Sequence, residues 1–384
     1  MKPSSFVLWE SPEPAAIAAR IAVAGDFLPA GKLTFPSDFD WSEMAGWITP
    51  HLSDVDIGFA NLEAVVDAEG LSPQPLAGIG EIVSGPSASL AYLQTLRFVV
   101  AGIANNHSYD FTDAGVERTK RAAAQRGLHP LGAGLDSASA PEVFVWHGPA
   151  SVRVGFWAAA KAATRLATRR AAGVEPATLP RASAAIAEMQ RRGARLYVAL
   201  LHAGCMRTNR PDPEDVGLMD SLARCGFHIV AASHSHRVGG WKPVISPGSR
   251  IPSFCFYGLG SLVSGYAASQ MEREGLIVVA SLNDHGNLVR VEARPVYLDE
   301  SGFAVIPGTE TSDRIFERFQ NLTNEIADGS FARLFYEDAS NGFFRFYFRD
   351  VRAAFRQAGL RGLARKAGRV RVRHIRRLVH KVIG

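Results

Sequence analysis

Short, unbroken apolar runs recur along the chain and stop abruptly at polar residues. Ile21-Ala-Val-Ala runs into Gly25-Asp26. Asp56-Ile-Gly-Phe-Ala ends at Asn61-Leu62-Glu63, and Phe98-Val-Val-Ala-Gly-Ile-Ala ends at Asn105-Asn106-His107. Runs of this length read as buried strands, each delivering a polar group to a loop. A helix is expected from Thr112 to Arg126, with Thr112 as N-cap and Gly127 as stop. Further strands are expected at 143–145, 152–158, 196–201, 228–231, 253–257, 276–281 and 288–296, and helices at 181–192 and 214–223. Strands alternating with helices predict an α/β layered domain. The late strands, with few helices between them, predict a second sheet or an antiparallel portion. One core over residues 15–300 is expected, followed by a helical extension over 301–384 whose residues 311–360 are rich in aromatics.

Composition narrows the class. Apolar residues make up 47% of the 384 and charged residues 21%, which excludes a disordered chain and allows a large core. No run of 18 apolar residues predicts a membrane span. Three cysteines exclude a disulfide framework and fit a reducing compartment. The N-terminus carries no apolar stretch of export length, so a cytoplasmic protein is expected. Charge is divided unevenly. Residues 351–384 hold 11 Lys or Arg and no acid, leaving 31 basic against 37 acidic residues in the rest. A basic tail on an acidic body points to an anionic partner surface.

The polar residues at the strand ends suggest chemistry. Asp26, Glu63, Asn106-His107 and His202 each follow an apolar run directly, and His234-Ser-His236 follows a fifth. One such residue alone reads as a turn former or cap. Five in order, all placed beyond the carboxyl ends of strands, read as one site. Carboxylate, imidazole and amide oxygen suit a divalent metal such as manganese, iron or zinc.

Gly25-Asp26, Asn61-Leu62-Glu63, Asn105-Asn106-His107 with Asp110, His202-x-Gly204 and His234-x-His236 resemble the ordered signature of the CapA family. These are bacterial capsule and poly-gamma-glutamate biosynthesis proteins related to the calcineurin-like metallophosphoesterases. The resemblance covers residues 20–285 and includes Gly132-Ala-Gly134 and Tyr257-Gly-Leu-Gly-Ser261. It implies a four-layer α/β/β/α sandwich with the metal site at one edge. It implies Glu63 as a bridging carboxylate, with Asn106, His202 and His234 completing one metal site and Asp26 and His236 the other. His107 would act as general acid or transition-state stabiliser, oriented by Asp110, with Asn61 and Asn105 on the substrate side. The pattern is not uniform: Leu28 stands where the phosphoesterases usually carry a His, and Ser261 where an Asn is common.

Lys161, Arg165 and Arg169, spaced by four, predict one basic helix face able to grip an anionic substrate. The expected function is therefore a metal-dependent hydrolase or transferase of surface-polymer biosynthesis, acting on an anionic small molecule or polymer. A non-catalytic subunit of a polymer synthase and a phosphoesterase on an unrelated substrate are the alternatives. Nucleic acid is disfavoured, because the core lacks interleaved basic and aromatic residues. In the tail, Ile375, Leu378, Val379, Val382 and Ile383 form an apolar stripe among basic residues, a pattern suited to the inner face of an anionic membrane.

Overall fold

The computed structural model describes residues 5–338, apart from 14, 32–34, 37, 74–81, 162, 164, 247, 249 and 250. The basic tail lies outside the described residues. Among those described, two sheets dominate. The first runs Phe6–Glu10, Leu288–Leu298, Glu274–Leu282, Ala19–Gly31, Ile57–Leu62, Val100–Gly102, His129–Leu131 in spatial order. From Ala19–Gly31 onward its strands are parallel, and before that they are antiparallel. The second runs Trp241–Val244, Ser253–Phe256, Ile229–Ser233, Leu196–His202, Arg153–Ala160, Phe144–His147, with four parallel strands between antiparallel edges.

The central parallel strands are buried throughout, as Ile57–Leu62, Leu196–His202 and Ile229–Ser233 illustrate. That is why their sequences are continuous apolar runs and not alternating ones. The sheets meet face to face: Phe59 of the first touches Phe156 of the second edge-on, with ring centroids 5.5 Å apart. At Gly102 an added Cβ would lie 3.4 Å from the Ala158 Cβ, and at Gly132 it would lie 2.7 Å from the Ala158 carbonyl oxygen. Helices cover the outer faces, Thr112–Gln125 on the first sheet and Leu179–Arg191 and Pro213–Cys225 on the second. The architecture is the expected α/β/β/α sandwich.

Helix ends follow local chemistry. Asp212 caps Pro213–Cys225 by accepting from the Glu214 N–H, and Gly226 stops it at positive φ. Gly127 stops Thr112–Gln125 as expected, at φ 72°. Thr112 is the first helical residue, and Phe111 takes the cap position without a side-chain hydrogen bond.

Two expectations are corrected. Residues 165–174 are not helical. Leu166 bridges to Val174, and Gly173–Val174 pairs with Ala133–Leu135, so long-range pairing overrides the helix-forming composition. Nor does the fold stop at residue 300. Phe303, Ala304, Ile315 and Phe319 belong to the main core, and Phe303 packs among Phe39, Trp41 and Tyr92. Buried Glu274 accepts from Arg314 and Arg318 of the helix Thr309–Asp328. Arg210 binds Glu325 and Asp338. No helix among the described residues is long and apolar enough to cross a membrane.

Candidate metal centre

The parallel strands of both sheets end at one edge, and the site is built there. Asp26 follows an irregularity in its strand: Val23 pairs with Phe59 and Asp26 with Asn61, so three residues on one strand face two on the other. A bulge of this kind turns a side chain out of the pleat. Gly25 permits it, because an added Cβ would lie 2.0 Å from the Gly260 carbonyl oxygen, which also accepts the Asp26 N–H at 3.0 Å. Ser261 pairs in register with Asp26 on a further strand, Ser261–Gly265.

The second sheet supplies imidazoles. His202 ends its strand, beside Ala160 on one neighbour and Ser233 on the other. His234 and His236 follow at φ 99° and 55°. Backbone strain of this kind in non-glycine residues persists where surrounding contacts enforce it. Here the His234 N–H donates to Asp26 Oδ2 at 3.1 Å, across the two sheets.

Two ligand sets result. Glu63, His202 and His234 form one, and Asp26, Glu63 and His236 form the other. Within each, the ligand atoms lie within 4.8 Å of one another. Glu63 is common to both. His202 Nε2 lies 3.5 Å from Glu63 Oε1 and 2.5 Å from Asn106 Oδ1. His236 Nδ1 lies 3.0 Å from Asp26 Oδ2 and 3.7 Å from Glu63 Oε2. Glu63 is 1% exposed, and its Oε2 has no hydrogen-bond partner among the described residues. A buried carboxylate oxygen left without a donor fits a cation as its partner.

The electrostatics agree. Burial, reinforced by the Asp26 charge, pushes Glu63 well above the usual carboxylate range. Burial also pulls Asp26 upward, but His236, His202 and Asn61 more than offset this and hold it well below that range. Two adjacent carboxylates thus split, one favouring its proton and the other losing it. Burial and the neighbouring His234 hold His202 well below 6.5, leaving it a neutral donor. For His236, burial is outweighed by Glu63 and Asp26, which push it up to about 9.

His107 stands beside these ligands. Its Nδ1 lies 2.7 Å from Asp110 Oδ2, which also accepts the Val83 N–H at 2.8 Å. The Val83 N–H fixes the carboxylate, and the carboxylate orients the ring through Nδ1. Asn61 and Asn105, expected on the substrate side, are instead 3% and 1% exposed. Asn61 donates to Asp26 Oδ1 at 2.7 Å, and Asn105 donates to the Asn61 oxygen and the Leu62 carbonyl. Asn61 thus holds Asp26, and Asn105 holds Asn61. Lys161 follows the strand beside His202, but its Nζ lies 2.5 Å from Asp215. Arg165 pairs with Asp113 and stacks over the Tyr109 ring. Ser233 was not expected at the site; its hydroxyl meets His202 Nδ1 at 3.3 Å, and its place directly before His234-x-His236 was the available signal.

Residues 20–266 match the family described as bacterial capsule synthesis protein PGA_cap. The chain belongs to that family. Its PGA_cap region contains all six expected metal ligands together with His107 and Asp110. The chain is also similar to the capsule biosynthesis protein CapA of Bacillus anthracis, at 23% identity over 289 residues, or 74% of this chain and 67% of that protein. Among solved structures it is similar to the 5'-nucleotidase precursor of Thermus thermophilus, at 12% identity and TM-score 0.46, over 81% of this chain and 59% of that one. A calcineurin-like phosphoesterase of Bacillus subtilis, YfkN, is 13% identical with TM-score 0.45, over 82% of this chain and 99% of that one.

Proposed function

We propose that this PGA_cap protein is a metal-dependent hydrolase or transferase in the making of capsule or a related surface polymer of the poly-gamma-glutamate type. The observation that carries the reading is the pair of ligand sets sharing buried Glu63. Asp26, Glu63 and His236 would hold one divalent ion, and Glu63, Asn106, His202 and His234 a second. Imidazole, amide and carboxylate donors together favour manganese, iron or zinc over calcium. Such ions, when bound, supply Lewis acidity to a phosphoester or amide oxygen. The chain's own residues do the rest. His107 delivers a proton from Nε2 to the departing group, and Asp110 keeps the ring oriented by holding Nδ1. Asn61, itself held by Asn105, fixes the carboxylate and imidazole ligands so that little reorganisation is needed. The substrate is an anionic small molecule or polymer, and the basic tail places the enzyme at the cytoplasmic membrane face. Elemental analysis of protein purified without chelator tests the reading, together with hydrolysis of bis(p-nitrophenyl) phosphate by wild type and Glu63→Gln. Stoichiometric metal lost in the variant is expected. A wild-type protein that neither carries metal nor takes up manganese, iron or zinc refutes it.

A further inference from the structure

Beside the metal centre lies a cluster of charge that the ligand sets do not use. Arg237 directly follows His236, and Arg207 lies on the loop after His202, where its N–H donates to the Ser235 carbonyl at 3.1 Å. Both guanidiniums therefore stand on the loops that carry the imidazole ligands. They converge on one acceptor, Glu272 Oε1, with Arg207 Nε at 3.4 Å and Arg237 Nη2 at 3.6 Å. The other Glu272 oxygen is occupied, accepting the Ala268 and Ser269 N–H groups at 3.0 and 3.1 Å.

Two features separate this cluster from an ordinary structural ion pair. The first is that its contacts are long. Charge-assisted N–H···O⁻ bonds run at about 2.7–2.9 Å, and Arg181 meets Glu175 at 2.6 and 2.7 Å in this same chain. Arg237 reaches Asn209 Oδ1 only at 3.4 Å and the Met271 sulfur at 3.8 Å. The second is a shortfall of acceptors. Two cations share one carboxylate oxygen, and the Arg237 Nε is buried without a hydrogen-bond partner among the described residues. The Arg237 side chain is 17% exposed, so little water compensates. Arg207, half exposed at 50%, opens the cluster to solvent. Arg237 is the next residue after His236, and the Arg207 backbone is bonded to Ser235 beside it, which ties the cluster to the ligand sets.

We propose that Arg207 and Arg237 form an oxyanion subsite that takes a carboxylate or phosphate group of the substrate, remote from the bond that is broken. The assignment rests on the hydrolase or transferase reading and adds a substrate class to it: a molecule carrying an anionic group beyond its reacting ester or amide. The planar forks suit a two-oxygen anion, and the bound group would supply the second acceptor that the two guanidiniums lack. The two arginines position substrate and take no part in proton transfer.

Inorganic phosphate is the probe. Its binding is measured by titration calorimetry on the full-length protein, once loaded with manganese and once in EDTA, where the metal ligands can hold no phosphate through an ion. In EDTA, phosphate binding persists in wild type and weakens at least tenfold in Arg207→Gln and in Arg237→Gln, while Arg237→Lys recovers part of it. Manganese content stays at the wild-type level in the Arg207 variant, whose exposed side chain leaves the fold intact. Equal phosphate affinity in EDTA for wild type and both Gln variants overturns the subsite, whatever the metal analysis gives. The converse result, arginine-dependent phosphate binding in a protein that takes up no metal, sinks the hydrolase reading and leaves the subsite standing.

Discussion

His51 predicts an acid-sensitive fold. The ring is fully buried against the antiparallel part of the first sheet, where Nε2 donates to the Pro295 carbonyl at 3.0 Å. Its Nδ1 is buried without a hydrogen-bond partner among the described residues, and its own carbonyl accepts from Arg294. A second proton would therefore enter a dry site beside a guanidinium. Burial, aided by the Arg294 charge and opposed by the Pro295 bond, lowers the imidazole from 6.5 to about 4. The folded value lies below the unfolded one, so the stabilisation is complete above pH 6.5 and drains away as pH falls from there towards 4. The full shift corresponds to about 3 kcal/mol, of which about 2 kcal/mol is lost between pH 7 and pH 5. Urea unfolding at the two pH values, on wild type and His51→Gln, measures it. The glutamine amide keeps a donor for Pro295 and does not titrate. Wild type should lose about 2 kcal/mol more than the variant over that interval. Equal losses, or a His51 ring resonance titrating near 6.5 in the native state, would refute the argument.

Three further outcomes are expected. His107→Ala retains its metal but loses turnover of bis(p-nitrophenyl) phosphate by about 10²–10⁴-fold, the usual worth of a general acid; loss of metal would make His107 a ligand. Gly25→Ala lowers stability by more than about 2 kcal/mol and releases metal, because a Cβ 2.0 Å from the Gly260 oxygen must displace the Asp26 bulge; an unchanged thermal melt would contradict the packing described. Full-length protein sediments with anionic liposomes in a salt-sensitive way while a version ending at Asp350 does not, and identical behaviour of the two removes the membrane reading of the basic tail.

The candidate ligands were legible because each lies at or just after the end of an apolar run. A parallel strand buried on both faces shows where it stops, so Asp26, Glu63, Asn106, His202 and the paired His234 and His236 stood out together, as one ordered series. What the sequence hid was set by contacts distant along the chain. Arg165 reads as part of a basic helix face, yet its guanidinium is held by Asp113, and the residues after it pair with Ala133–Leu135. Asn61 and Asn105 read as substrate contacts because asparagine beside a metal site has two uses, and only burial distinguishes them. The core's extension past residue 300 depends on Phe303 meeting Trp41 and Tyr92, which no local pattern foretells. Arg207 and Arg237 sit in loops without periodicity, and their shared acceptor, Glu272, is 35 residues beyond the second of them.

The division of the ligands between two sheets has a mechanical consequence. Asp26, Glu63 and Asn106 lie on or just beyond strands of one sheet, and His202, His234 and His236 on or just beyond strands of the other, so the donor spacing is inherited from the gap between them. That gap is gauged deep inside the molecule, by Phe59 against Phe156 and by Ala158 against Gly102 and Gly132. Close-packed interiors transmit such dimensions faithfully. One methylene added at Ala158 would act as a shim, opening the donor set from within and changing which ion fits it, while leaving every ligand in the sequence untouched.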